Sequence, residues 1–143
     1  MTKKLQELLT ALADPDKTIY LKSDGTLGSA DDTNLLGIIP KIPVQSLGSP
    51  DFRAEYGVKY AYVGGAMVCG ISSRAMVKAF SEGGCLGIFG SSGLQPARVE
   101  EEIDALSTDL QGKPFGACLI HTPQDPSWEE KVTEIYLKHQ VRV

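Results

Sequence analysis

Histidine, tryptophan and cysteine are scarce in this chain of 143 residues, with two, one and three copies. Cys69, Cys85 and Cys118 include no C-x-x-C pair, and their odd number gives no disulfide framework. His121 and His139 show no H-x-x-x-H spacing, so a zinc ligand set is missing as well. Lysine and arginine form no run, and a formal charge of -4 with a pI near 5.1 leaves no electrostatic footprint for nucleic acid. No apolar run reaches the length of a membrane span. The opening MTKKLQELLTALADPDK is interrupted by charged and polar residues too soon for a signal-peptide apolar segment. These absences lead us to expect reduced thiols and a cytoplasmic chain.

What is present suits a soluble domain: 42% of residues are hydrophobic and 22% charged. Leu5, Leu8, Leu9 and Leu12 repeat at helical spacing, and Asp14-Pro15 stops that helix. TIYLK at 18–22 alternates into a strand and SDGT behind it is a turn signal, so a hairpin is expected near 18–28. Residues 29–58 carry three prolines and several turn residues, which predicts an extended, wrapping segment.

From residue 59 the pattern becomes strand, helix, strand, helix. KYAYVGGAM reads as a strand; SRAMVKAFSEGG reads as a helix with Met76, Ala79 and Phe80 on one face and Gly83-Gly84 as its stop. CLGIFG at 85–90 has the texture of a strand buried on both faces. The next helix has Pro96 in its first turn and Val99, Ile103, Leu106 and Leu110 as its apolar stripe. PFGACLI at 114–120 repeats the buried strand. A last helix is capped by Asp125, opens on Pro126 and turns Trp128, Val132 and Ile135 inward. VRV at the end starts a fourth strand. Strand starts near 61, 85, 115 and 141 repeat at the interval expected when eight βα units share the roughly 250 residues of a (β/α)8 barrel. We therefore expect an α/β fold, the N-terminal part of a TIM barrel with about three βα units and the start of a fourth strand. A helix and a small β hairpin precede it, with residues 1–58 as an extension and 59–143 as incomplete barrel.

The glycine-rich stretch VGGAMVCGISSRAMVKAFSEGGCLGIFGSSG, residues 63–93, is neither a dinucleotide fingerprint nor a phosphate loop. GIFGSSG has glycines at G-x-x-G-x-x-G, the next acidic residues fall within a helix, and G-K-[ST] is missing. Interleaved Met67, Ile71, Phe80, Leu86 and Phe89 exclude a linker. Two readings stand on spacing alone: βα turns where small residues let the backbone approach a flat ligand, or glycines that serve only tight turns and helix–sheet packing. Cys69 and Cys118 read either as thiols at a site rim or as small apolar fillers. His121 reads as a polar contact after a strand or as a satisfied surface residue. Asp31-Asp32 in a polar loop reads as solvated, and Trp128 as core.

The order of G-A-M-x-x-G-I-x-S, L-G-x-F-G-x-x-G-L and F-G-x-x-L-I-H, from about Leu36 to Val143, resembles the trans-acting flavin-dependent enoyl reductases of polyunsaturated fatty acid and polyketide synthases. These belong with the nitronate monooxygenases, the 2-nitropropane dioxygenase group of FMN-binding barrels. The resemblance implies an FMN that takes hydride from NAD(P)H and passes it to the β-carbon of an enoyl-thioester on an acyl carrier protein, within a complex of other synthase subunits. It implies that Gly65, Ala66 and Met67 put their backbone against the isoalloxazine and that Cys118 contacts it from the third strand. His121 matches the family's histidine after that strand, without an assigned role.

The chain departs from the family pattern at Cys69 and Cys118, each in the place of an asparagine. A weak thiol donor replaces an amide there, a change worth on the order of 1 kcal/mol per lost hydrogen bond. With three units where a barrel needs eight, the phosphate grip from later loops is missing, so the chain alone is expected to hold FMN poorly. It is expected to associate with a complementary C-terminal half barrel or with itself. Two rival readings are a nitronate monooxygenase-like flavin oxidase and a non-catalytic half-barrel module that binds a synthase component.

Overall fold

A computed structural model describes residues 2–143. The chain divides into two compact units, one ending at Leu47 and one running Gly48–Val143. Among the described residues no helix is long and apolar enough to cross a membrane.

In the first unit, helix α1 (Lys3–Leu12) is built from strong helix formers and ends just before Asp14-Pro15. It buries Ala11, while Leu5, Leu9 and Leu12 of the expected stripe stay about half exposed. Strand β1 (Ile19–Lys22) is followed by a turn at Asp24-Gly25, where Gly25 takes φ +78° and the Asp24 carboxylate accepts the Thr26 N–H and hydroxyl at 2.9 and 2.6 Å. The expected hairpin near 18–28 amounts to a single bridge, Leu21 to Leu27. The main partner of β1 is instead β2 (Leu35–Ile39), antiparallel, with Ile19 opposite Ile39 and Tyr20 opposite Ile38.

β2 is extended backbone, as expected of residues 29–58, but helix α2 (Pro50–Tyr56) corrects the reading of that stretch as an extended, wrapping segment. The prolines misled: Pro50 occupies the first turn of α2, where its missing N–H costs nothing, Ser49 caps the start, and Gly57 ends it at φ +63°.

The second unit is a three-stranded parallel sheet in the order β3 (Val63–Gly64), β4 (Leu86–Phe89), β5 (Gly116–Ala117). Val63 pairs with Leu86 and Phe89 with Ala117. Helices α3 (Arg74–Glu82), α4 (Pro96–Leu110) and α5 (Pro126–Lys138) follow the three strands in turn, and Ser73 and Asp125 cap α3 and α5. β3 and β5 are far shorter than the apolar runs that announced them. The Ala117 N–H donates to the Val143 carbonyl at 2.8 Å, so the end of the chain runs beside β5 where a fourth strand was expected to start.

The core joins Phe89 and Ala117 of the sheet to Val77 of α3, Val99, Ile103, Leu106 and Leu110 of α4, and Val132 and Ile135 of α5. The α4 stripe is buried as its period predicts. Each such side chain contributes roughly 1.5–3 kcal/mol by leaving water. In α3 the buried face is rotated from the expected one: Val77 and Ser81 are inside, Met76 and Phe80 are half-buried, and Ala79 is exposed. A Cβ on Gly87 would come within 2.9 Å of the Val77 main chain, so α3 approaches β4 most closely at Val77. The Phe80 ring lies instead beneath Gly64 of β3 and stacks on Tyr62.

Candidate functional site

The loops after β3, β4 and β5 leave the sheet at its carboxyl end, where parallel α/β folds build their sites. The first two are laced together through main chain. Gly70 N–H donates to Gly90 O at 2.8 Å, Gly90 N–H to Ser72 O at 3.0 Å, and Cys69 N–H to Ser92 O at 2.7 Å. The contact is so close that a Cβ on Gly90 would stand 1.7 Å from the Met67 carbonyl oxygen, so only glycine fits. Ser72, 1% exposed, braces the first loop from within, its hydroxyl accepting the Met67 N–H at 2.8 Å and donating to Gly65 O at 3.0 Å.

A second hydroxyl network fixes the loop after β5. The Ser91 hydroxyl donates to Cys118 O at 2.6 Å, and the Tyr136 phenol, reaching in from α5, donates to Ser91 Oγ at 2.5 Å and to Cys118 O at 3.0 Å. Ser92 Oγ and Cys118 Sγ share a hydrogen bond at 3.1 Å. Burial pushes the Cys118 thiol up, but the hydroxyls and main-chain N–H groups of Ser92 and Ser91 outweigh it and hold the thiol below its ordinary value. Burial also pushes the Tyr136 phenol up to about 12, so it stays protonated as a donor.

Beside these groups lies a cleft of about 480 Å³, walled by Val68, Cys69, Leu94, Ile120 and Trp128, with Ser92 at its edge. The Trp128 indole is held by donation to Leu94 O at 2.8 Å. The wall is thus mostly apolar, with Ser92, Gln95, Thr122 and Asp125 as its polar members.

Gly65, Ala66 and Met67 form an exposed strip along the first loop, and nothing stands within 4 Å of where a Gly65 side chain would begin. Cys118 is half-buried behind Ser92. Both cysteines that depart from the family pattern converge on Ser92, Cys69 through its main chain and Cys118 through its thiol. His121 lies apart on the surface, its Nδ1 at 3.0 Å from Glu129 Oε2. That carboxylate also accepts the Thr122 N–H at 3.1 Å, and with the His121 bond this keeps it below the usual carboxylate range. Asp32 accepts the Ser29 N–H at 2.7 Å within its own exposed turn.

Sequence reasoning missed Ser72, Ser91, Ser92 and Tyr136. The available signal was a Ser-Ser pair between glycines directly after a buried strand. As for a flavin, the exposed strip, the apolar wall and the small donors suit an aromatic ring system. Residues 65–73, 90–95 and 118–125 contain no lysine or arginine to meet a phosphate. The residues present therefore fit the ring portion of such a group.

No family model matches the chain. Polyketide biosynthesis protein PksE of Bacillus subtilis is 38% identical over 103 residues, 71% of this chain and 13% of that protein. A component of the polyunsaturated fatty acid synthase of Thraustochytrium sp. is 31% identical over 144 residues, 97% of this chain and 10% of that protein. Among solved structures, the enoyl reductase domain of MlnA, from the macrolactin biosynthesis cluster of Bacillus amyloliquefaciens, is similar with a TM-score of 0.66 at 37% identity. That likeness covers 70% of this chain and 23% of that one. The chain thus spans 13% and 10% of the lengths of these two curated relatives.

Proposed function

We propose, for a chain that carries part of an enoyl reductase-like domain of polyketide and polyunsaturated fatty acid synthases, that it forms the ring-binding portion of a flavin-dependent enoyl reductase. The observation that carries the reading is the exposed Gly65–Met67 strip on a loop laced through Cys69 and Gly70 to the Gly90–Ser92 loop, which in turn holds Cys118, at the carboxyl ends of parallel strands. In this reading residues 59–143 are the first units of a (β/α)8 barrel and residues 1–58 an extension to it.

FMN, when bound, supplies two-electron chemistry between NAD(P)H and the β-carbon of an enoyl-thioester on an acyl carrier protein. The chain's own residues do the positioning. Gly65, Ala66 and Met67 present main chain to the ring face, and Ser72 fixes the carbonyl of Gly65 and the N–H of Met67 so that this strip does not rearrange. Ser92 and Cys118 would supply a hydroxyl and a thiol toward the bound group, and Leu94 and Trp128 would give it an apolar surface. The phosphate grip comes from the later strands of the barrel, in a cytoplasmic complex with other synthase subunits.

The test is reconstitution. This chain is mixed with the remaining strands of the MlnA enoyl reductase domain and FMN, and flavin fluorescence quenching and NADPH-driven reduction are measured. Quenching and reoxidation by an enoyl-thioester are expected. Reoxidation by a nitronate alone would favour an oxidase, and a flavin-free complex that binds carrier protein would favour a non-catalytic module.

A further inference from the structure

We propose that the cleft of about 480 Å³ is the subsite for the acyl chain of a thioester, and that it takes an uncharged chain bearing a hydroxyl group, with Asp125 as the acceptor that selects it. The thioester rests on the enoyl reductase reading; the preference for a hydroxyl rests on the lining alone. None of Gly65, Ala66, Met67 and Cys118 lines the cleft, whereas Val68 and Cys69, which follow the exposed strip directly in sequence, do. A group on the strip and a chain in the cleft are therefore neighbours, not rivals for one place.

The lining decides the chemistry of the chain. Val68, Leu94, Ile120 and Trp128 give aliphatic carbon a surface, and Asp125, Gln95 and Thr122 share that surface with them. The Asp125 carboxylate accepts the Ser127 hydroxyl at 2.7 Å and the Trp128 N–H at 3.2 Å, both on Oδ1, which leaves Oδ2 as a further acceptor. These bonds hold the carboxyl below the usual carboxylate range, so it is ionised near neutrality. The Gln95 side chain makes no capping bond to α4 and keeps its amide for a ligand. A bare hydrocarbon chain would strip water from these groups and return no hydrogen bond, whereas a chain hydroxyl donates to the carboxylate. An anionic chain, or the phosphate of a pantetheine arm, meets that carboxylate with no lysine or arginine in the lining to offset it. The class selected is that of hydroxylated polyketide chains over hydrocarbon ones.

Trp128 is the one tryptophan of the chain, so its fluorescence reports the cleft on the full chain without flavin. The probes are N-acetylcysteamine thioesters of saturated acids of equal length: decanoic, 5-hydroxydecanoic, 9-hydroxydecanoic and sebacic acid, the last leaving a carboxylate at its far end. We expect saturable quenching, with at least one hydroxy chain bound about fivefold tighter than decanoyl and the sebacic chain weakest. Asp125→Asn keeps a helix-capping side chain but loses the charge; it is expected to bring hydroxy and plain chains within about twofold, with circular dichroism unchanged. Gln95→Leu, at an exposed side chain, is expected to tighten decanoyl binding alone. Equal or tighter binding of the decanoyl chain by the parent, tightest binding of the sebacic chain, an unchanged hydroxyl preference in Asp125→Asn, or no saturable change in Trp128 fluorescence would each overturn the proposal. Failed flavin reconstitution with the hydroxyl preference intact would instead count against the reductase reading alone.

Discussion

Cys69 holds φ at +57°, the left-handed region that asparagine and glycine visit readily and other L residues enter at a cost of roughly 1–2 kcal/mol. The asparagine of the family pattern at this place therefore has a conformational reason beside any contact with a ligand. Cys69→Asn is expected to raise stability by about 1 kcal/mol and the melting temperature accordingly, measured by thermal unfolding. Tyr136 offers a test by pH. Burial first, and the nearby Cys118 as well, raise its phenol to about 12 against the opposing hydrogen bond with Ser91. The folded chain keeps a proton that the unfolded chain loses near 10. Its contribution is thus whole below pH 10 and is lost as pH climbs toward 12. Tyr136→Phe should cost about 1 kcal/mol near neutrality and flatten that alkaline loss, read from urea unfolding across pH.

Among the elements, the longer helices were the most legible. Val99, Ile103, Leu106 and Leu110 repeat at the helical period and all are buried, because α4 offers one stripe to one core. Ile103→Ala should cost about 3 kcal/mol, whereas Leu137→Ala, at a position 74% exposed on α5, should change unfolding by less than about 0.5 kcal/mol in the same urea titration. Less legible was the phase of α3, since Val77 is inside only because Gly87 lets the helix approach, a fact held by the partner strand. Strand β2 was hidden for a related reason. Its pairing with β1 spans an intervening turn and loop, and no local period announces such a partner. At the candidate site the glycines and Met67 marked the loops, while Ser91 and Ser92 carried no reading of their own in the sequence. They are buried because Tyr136 and Cys118 satisfy them, and those partners lie 45 and 26 positions away in sequence.

At the scale of the whole molecule, apolar side chains remain outside. In the second unit Val63, Met67, Val68, Ile71, Leu119, Ile120 and Val143 are each 42–63% exposed, on β3, on the loops at its carboxyl end and beside β5. Surface of this kind marks an interface when it is contiguous. We expect the sedimentation coefficient of the chain to rise with concentration, and the double substitution Ile71→Lys, Ile120→Lys to suppress that rise while leaving circular dichroism unchanged. A coefficient independent of concentration would remove the expectation of self-association.

The reach of Tyr136 into the loop after β4 has a consequence in time. A nascent chain leaves the ribosome from its N-terminus, so β3, β4 and their helices emerge before α5 does. The main-chain lacing of the first two loops needs only residues up to Ser92. The hydroxyl floor beneath Cys118 has to wait for residue 136, and the thiol therefore gains its fixed surroundings only after the two loops before it are already laced.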